Sequence, residues 1–192
     1  MAYHQFARSG AWENNGVTLS SKASGKRMGI AGLGAIGQAI ARRAAAFDME
    51  VAYTARSAKD VPYKRYDNIE QLAGWSDFLV LALPGSPENL QLVDAKVLAA
   101  LGKQGVLINI ARGTVVNEND LIDALQQGTI KGAALDVFPH EPVINSALRE
   151  LDNVLLTPHI ASATHETREA MSNNVFENLL AFFSTGKMLT AI

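Results

Sequence analysis

The chain has 192 residues, 48% hydrophobic and 19% charged, with 17 Lys and Arg against 19 Asp and Glu for a net charge of -2. That is enough apolar material for one sizeable core, and it excludes disorder as the main state, a strongly basic nucleic-acid face and a polyanionic tail. The sequence has no Cys, which removes disulfides, thiolate metal sites and a cysteine nucleophile. No apolar run nears the ~18 residues of a spanning helix, so the expectation is a soluble, cytoplasmic domain without metal, membrane or nucleic-acid partner.

Residues 1–24 are rich in Gly, Ser and Asn and read as an arm or interdomain linker rather than sheet. From there, apolar runs alternate with amphipathic stretches. Strands are expected at Met28–Leu33, Glu50–Thr54, Asp77–Leu83, Gly105–Ile110, Ile130–Val137 and Asn153–Thr157, with a weaker one at Tyr63–Tyr66. Their nearly continuous apolar character suits strands covered on both faces, as in a parallel sheet. Between them, Ile36–Phe47 has apolar positions three and four apart, and Asn68 can cap a short helix through Trp75. Asp94–Leu101 forms another helix. Asn117–Gln127 has acids in its first turn and Gly128 after it, and Thr164–Ser184 is the longest helix, followed by Gly186. The alternation predicts a doubly wound α/β fold of the Rossmann type with about seven strands, spanning 25–184 and followed by a tail at 185–192.

Gly32-Leu33-Gly34-Ala35-Ile36-Gly37 is a GxGxxG placed where its mechanism needs it, after an apolar strand and at the mouth of an Ala-rich helix. Gly32 makes the tight turn, Gly34 admits a pyrophosphate to the backbone, and Gly37 lets helix and strand pack closely. Ala35 and Ile36 open the helix whose free N–H groups face the anion. A dinucleotide is the expected ligand. At the end of the second strand, NAD calls for an acid on the ribose 2′-OH. None stands between Glu50 and Asp60; Arg56 and Ser57, with Lys59 nearby, can instead hold a 2′-phosphate. NADP(H) is therefore expected to be preferred, with NAD(H) possible.

Three more segments end predicted strands: Ile110-Ala111-Arg112, Asp136-Val137-Phe138 and Thr157-Pro158-His159. Ligands of open α/β sheets bind outside the carboxyl ends of the strands, so Arg112, Asp136 and His159 are expected to converge with the glycine turn. Glu141 follows Asp136 in the same loop.

These residues carry a resemblance. GKRMGIAGLGAIGQAIARRAAAFDMEV, GVLINIARGTVVNENDLIDALQQGTIKGAALDVFPHEP and NVLLTPHIASATHETREAM resemble the D-isomer-specific 2-hydroxyacid dehydrogenases over nearly all of residues 25–180. Within that family the YTARS and SATHETR segments look closest to the glyoxylate/hydroxypyruvate reductases. The resemblance implies that Arg112 binds the substrate carboxylate, that His159 is the acid/base, and that Glu141 is its carboxylate partner. It also implies that Asp136 holds the nicotinamide carboxamide, that Leu83 and Pro84 lie beside the adenosine, and that Ile110, Ala111, Arg112 and His159 line the cofactor. The chemistry is consistent. A guanidinium can bind a 2-oxo acid bidentately, a protonated imidazole can supply the proton to the oxygen, and a neighbouring carboxylate favours that charged form.

Asn89 departs from the family's usual Thr. His140 is expected to be exposed, and His165 is a candidate for the substrate pocket. By resemblance the chain is the cofactor-binding domain of an NADPH-dependent reductase of small 2-oxo acids, with the N-terminal substrate-binding domain absent and turnover alone expected to be feeble. It would form a homodimer for which Phe6 and Trp12 are candidate anchors, the other reading being that Trp12 packs on its own chain. The alternative function is a non-catalytic, dinucleotide-sensing corepressor-like module of the same family.

Overall fold

The computed structural model describes residues 2–17 and 19–190; residues 1, 18, 191 and 192 of the expected arm and tail lie outside the described residues. Seven strands are present: β1 Arg27–Ala31, β2 Glu50–Thr54, β3 Lys64–Arg65, β4 Phe78–Leu81, β5 Val106–Asn109, β6 Gly132–Leu135 and β7 Val154–Leu156. They form one sheet in the order β3-β2-β1-β4-β5-β6-β7, and every pairing is parallel. The doubly wound expectation therefore holds. The chain leaves β1 toward β2 on one side and returns to β4 on the other, so the strand order reverses at β1, the switch point where open sheets place their ligands.

Several strands end earlier than their apolar runs. β1 stops at Ala31, although Leu33 is 1% exposed, because Gly32 turns the backbone out of the ladder at φ 94. β6 likewise stops at Leu135, while Val137 and Phe138 stay buried. Successive strand residues point to opposite faces, which divides the core in two. One cluster contains Leu72, Leu79, Leu81, Leu98, Leu107 and Leu121; the other is built on Ile30, Leu33, Ala41 and Tyr53.

Helices begin where side-chain acceptors allow them. In α3 (Ile69–Trp75) Asn68 accepts from the Gln71 N–H, and in α4 (Ala95–Leu101) Asp94 accepts from those of Lys96 and Val97. Asn117 caps α5 (Glu118–Gln126) through the Asp120 N–H. α2 (Ala35–Ala45) follows the glycine turn without such a cap. The sequence reading passed over two helices. α1 (Ala2–Arg8), followed by a 3-10 turn at Ala11–Glu13, lies in the Gly- and Ser-rich arm. α6 (Ser146–Glu150) is a single turn capped by Asn145 and held by Leu148, which is 1% exposed.

The chain divides into two compact units, one ending at Pro158 and the other starting at His159. The first holds the sheet. The second contains α7 (His165–Thr185), capped by Thr164 and closed by Gly186 at φ 72. Its tail is tied to that helix: the Thr190 N–H donates to Asn178 Oδ1 at 2.9 Å, and the Thr190 hydroxyl to Asn174 Oδ1 at 3.1 Å.

Candidate functional site

The glycine turn is shaped by what it must avoid. A Cβ on Gly32 would lie 2.5 Å from the Ala82 carbonyl oxygen and 2.9 Å from Leu83 Cα, and a Cβ on Gly37 would run into the Gly32 carbonyl. Both glycines are required by the packing of the protein on itself. Gly34 differs, since nothing lies within 4 Å of a Cβ built there and its φ of -77° suits any residue. No side chain caps the first turn of α2, where Ala35 is exposed and Ile36 is 63% exposed. Open space over Gly34, uncapped N–H groups and the positive helix end together fit a pyrophosphate.

After β2, the segment Ala55–Lys59 carries Arg56 and Ser57, both exposed. It is held at its two ends. Arg65 on β3 donates to the Ala55 carbonyl at 3.1 Å, and the Lys59 N–H donates to the Tyr53 hydroxyl at 2.9 Å. Glu88 lies within electrostatic reach of Arg56. Its carboxyl is held below the usual value by the Ser86 hydroxyl and its own backbone N–H, with a further contribution from Arg56. No acid stands on β2 beyond Glu50, which leaves Arg56, Ser57 and Lys59 as the polar side chains of this turn.

After β4, Leu83 is half-buried and Pro84 exposed. Asn89 closes this loop by donating to the Pro84 carbonyl at 2.8 Å and the Ser86 hydroxyl at 3.2 Å. The loop rests on Arg112: a Cβ on Gly85 would come 2.5 Å from Arg112 Cγ and 2.9 Å from its Cβ. Arg112 therefore has its stem lodged under the β4 loop, and its Nη1 donates to the Ala111 carbonyl at 2.6 Å. Asn109, 1% exposed at the end of β5, accepts from the Ala111 N–H at 3.0 Å and donates to the Arg112 carbonyl at 3.1 Å. That pair of bonds fixes the Ile110-Ala111-Arg112 turn. Gly113 then packs so tightly on Phe138 and Pro139 that no side chain fits.

Asp136, 7% exposed, accepts from the Thr157 hydroxyl at 2.6 Å. Glu141 is exposed, and its Oε1 accepts from the Phe138 N–H at 2.9 Å, which folds the loop after β6. The first unit thus brings the glycine turn, Leu83, Pro84 and Arg112 together along the β1–β4–β5 edge, with Asp136 one strand further on. His159 opens the second unit, exposed and at φ 51, the left-handed region. His140 is exposed, as expected, with a bridge to Val143. His165 is the exposed first residue of α7. Among the described residues no cluster of His, Asp or Glu could hold a metal ion, and no helix is long and apolar enough to cross a membrane.

Four positions escaped the sequence reading: Tyr53, Gly85, Asn109 and Thr157. Asn109 and Thr157 left a signal, as polar residues near the ends of apolar strands. The other two act through a neighbour distant in sequence or through an atom that composition does not reveal.

Comparison with known proteins agrees with this fold. The family model described as the NAD binding domain of D-isomer specific 2-hydroxyacid dehydrogenases matches residues 1–161. The chain is 48% identical over 189 residues to glyoxylate/hydroxypyruvate reductase A of Arabidopsis thaliana, covering 98% of this chain and 60% of that protein. It is 47% identical over 188 residues to 2-ketogluconate reductase of Gluconobacter oxydans, covering 97% and 61%. Among solved structures, an NADPH-dependent glyoxylate/hydroxypyruvate reductase of Sinorhizobium meliloti in complex with NADP and malonate superposes with a TM-score of 0.92 at 45% identity, over 98% of this chain and 60% of that one. The chain spans about three fifths of the length of these relatives.

Proposed function

The chain belongs to the D-isomer specific 2-hydroxyacid dehydrogenases, matching their NAD binding domain, and from that premise we propose that it serves the NADPH-dependent reduction of a small 2-oxo acid such as glyoxylate or hydroxypyruvate. The observation that carries the reading is the turn Arg56-Ser57, cationic and acid-free, beside a glycine turn that fits a pyrophosphate. The S. meliloti reductase, at 45% identity, is described as NADPH-dependent, which supports the same preference.

In this reading the cofactor is held by Gly32, Gly34, Ala35, Ile36 and Gly37 at the pyrophosphate and by Arg56 and Ser57 at the 2′-phosphate. Leu83 and Pro84 lie beside the adenosine, Ile110 and Ala111 line the dinucleotide, and Asp136 takes the carboxamide. The bound reduced nicotinamide supplies the hydride. Arg112 binds the substrate carboxylate, and a planar guanidinium does this bidentately while favouring negative charge on the neighbouring carbonyl oxygen. His159 is the proton donor to that oxygen, with Glu141 as the third catalytic residue. The lodged stem of Arg112, under Gly85, supports this role, because a fixed guanidinium loses less freedom on binding. The reading carries with it a cytoplasmic setting and a homodimer. Trp12, 65% exposed, supports a place for it at the two-fold contact.

The test is NADPH consumption with glyoxylate or hydroxypyruvate by the protein that carries this chain. His159→Asn is expected to abolish consumption and to leave the NADPH Kd within about twofold. An active His159→Asn variant, or a parent protein that consumes NADPH with neither acid, overturns the reading.

A further inference from the structure

Tyr53 belongs to the apolar cluster under the glycine turn, yet its one polar atom reaches out of that cluster. The residue is 2% exposed and packs with Ile30, Leu33 and Ala41. Those three come from β1, the glycine turn and α2, so the ring is clamped by the elements that would carry the pyrophosphate. Its hydroxyl accepts the Lys59 N–H at 2.9 Å, and its carbonyl accepts the Tyr66 N–H at 2.8 Å. At the near end of the same segment, Arg65 donates to the Ala55 carbonyl at 3.1 Å. Arg56, Ser57 and Ala58 lie between these two anchors, exposed.

We infer that Tyr53 and Arg65 are positioning residues for cofactor choice: they fix the Ala55–Lys59 turn so that Arg56 and Ser57 stand ready for a 2′-phosphate. The inference rests on the NADPH reading above and adds residues that do not themselves touch the phosphate. Arg and Ser on a loose loop must be ordered as they bind, which weakens the complex; two anchors do that ordering in advance. Tyr suits the task because its ring is fixed by packing while its hydroxyl still accepts a backbone N–H. Phe in its place would fill the same space. It would remove the acceptor of the Lys59 N–H.

The experiment is fluorescence titration of the protein with NADPH and, separately, NADH, for the parent, Tyr53→Phe and Arg65→Gln. One net hydrogen bond corresponds to a factor of about three to ten in affinity. Each variant is expected to weaken NADPH binding by about that factor while NADH binding stays within about twofold, so the NADPH/NADH ratio falls. Equal weakening of both cofactors would assign Tyr53 and Arg65 a general structural role and overturn the inference. So would an unchanged ratio in both variants of a parent that prefers NADPH. A parent without NADPH preference instead overturns the underlying cofactor reading, and that outcome is visible before either variant is examined. Arg65 is exposed on the two-residue edge strand β3, so Arg65→Gln decides the matter even if Tyr53→Phe fails to fold.

Discussion

Gly34 and Gly37 belong to one motif but answer to different constraints, and alanine at each separates them. At Gly37 a methyl meets the Gly32 carbonyl oxygen and stands 3.4 Å from Ile30 Cγ2. The first neighbour is backbone and cannot swing aside, so α2 must lift from β1, an overpacking that costs about 1–3 kcal/mol. In a protein of this size that lowers Tm by several degrees, at about 2–4 °C per kcal/mol. At Gly34 the methyl meets nothing within 4 Å and the backbone is extended. The gain from a stiffer unfolded chain, about 0.4–1 kcal/mol, roughly offsets the poorer N-cap. Gly34→Ala is therefore expected to melt within ~2 °C of the parent. If the turn holds the pyrophosphate as proposed, the methyl occupies the space the anion needs, and losing one or two charge-assisted bonds is expected to weaken NADPH by about 10- to 100-fold. Thermal melts and fluorescence titration on the same preparations read both effects. A Gly34→Ala variant with the parent's NADPH affinity would refute the assignment of this turn to the pyrophosphate.

Two further outcomes follow from packing and charge. Gly85→Ala drives a Cβ to 2.5 Å from Arg112 Cγ, so it should raise the KM for the 2-oxo acid about tenfold with the NADPH Kd little changed; steady-state kinetics beside titration checks this, and an unchanged KM contradicts the lodging of Arg112. Asp77 accepts from the Arg27 N–H at 2.9 Å and pairs with its guanidinium at 3.4 Å. Burial alone would raise its pKa, but the Arg27 backbone and side chain with Lys26 outweigh that and lower it. A carboxyl whose folded pKa is depressed stabilises above its unfolded value, about 3.9, and that stabilisation fades as pH falls through the lower folded pKa. Asp77→Asn should cost about 1 kcal/mol at pH 7, given the half-exposed Arg27. In denaturant melts the gap to the parent should close below about pH 4, and a gap independent of pH would refute the ion pair's part in it.

The central strands were readable because both their faces are covered. A buried parallel strand is an apolar run, and six of the runs overlap a strand in this way; β3, an exposed Lys-Arg pair at the sheet edge, left only the weak signal at Tyr63–Tyr66. Hydrophobicity reports burial rather than pairing, however. Leu33 and Val137 are as buried as strand residues, yet lie past the last ladder bonds of β1 and β6. Helix starts were legible at Asn68, Asp94 and Asn117, where the cap is chemically specific. α6 was missed because one turn is too short to show a period, despite Asn145 and Leu148. Candidate site residues at strand ends stand out as polar side chains on apolar runs. What supports them does not, because it is made through space: Gly85 lies 27 positions from Arg112, and Thr157 lies 21 from Asp136.

The central claim concerns which dinucleotide the Arg56-Ser57 turn accepts. Parallel titration of the unmodified protein with NADPH and NADH, at one ionic strength, tests it most directly. A 2′-phosphate held by Arg56 and Ser57 predicts NADPH binding at least about tenfold tighter, the worth of one charge-assisted contact, with the preference narrowing as salt rises. Equal affinities, or tighter NADH, would contradict it.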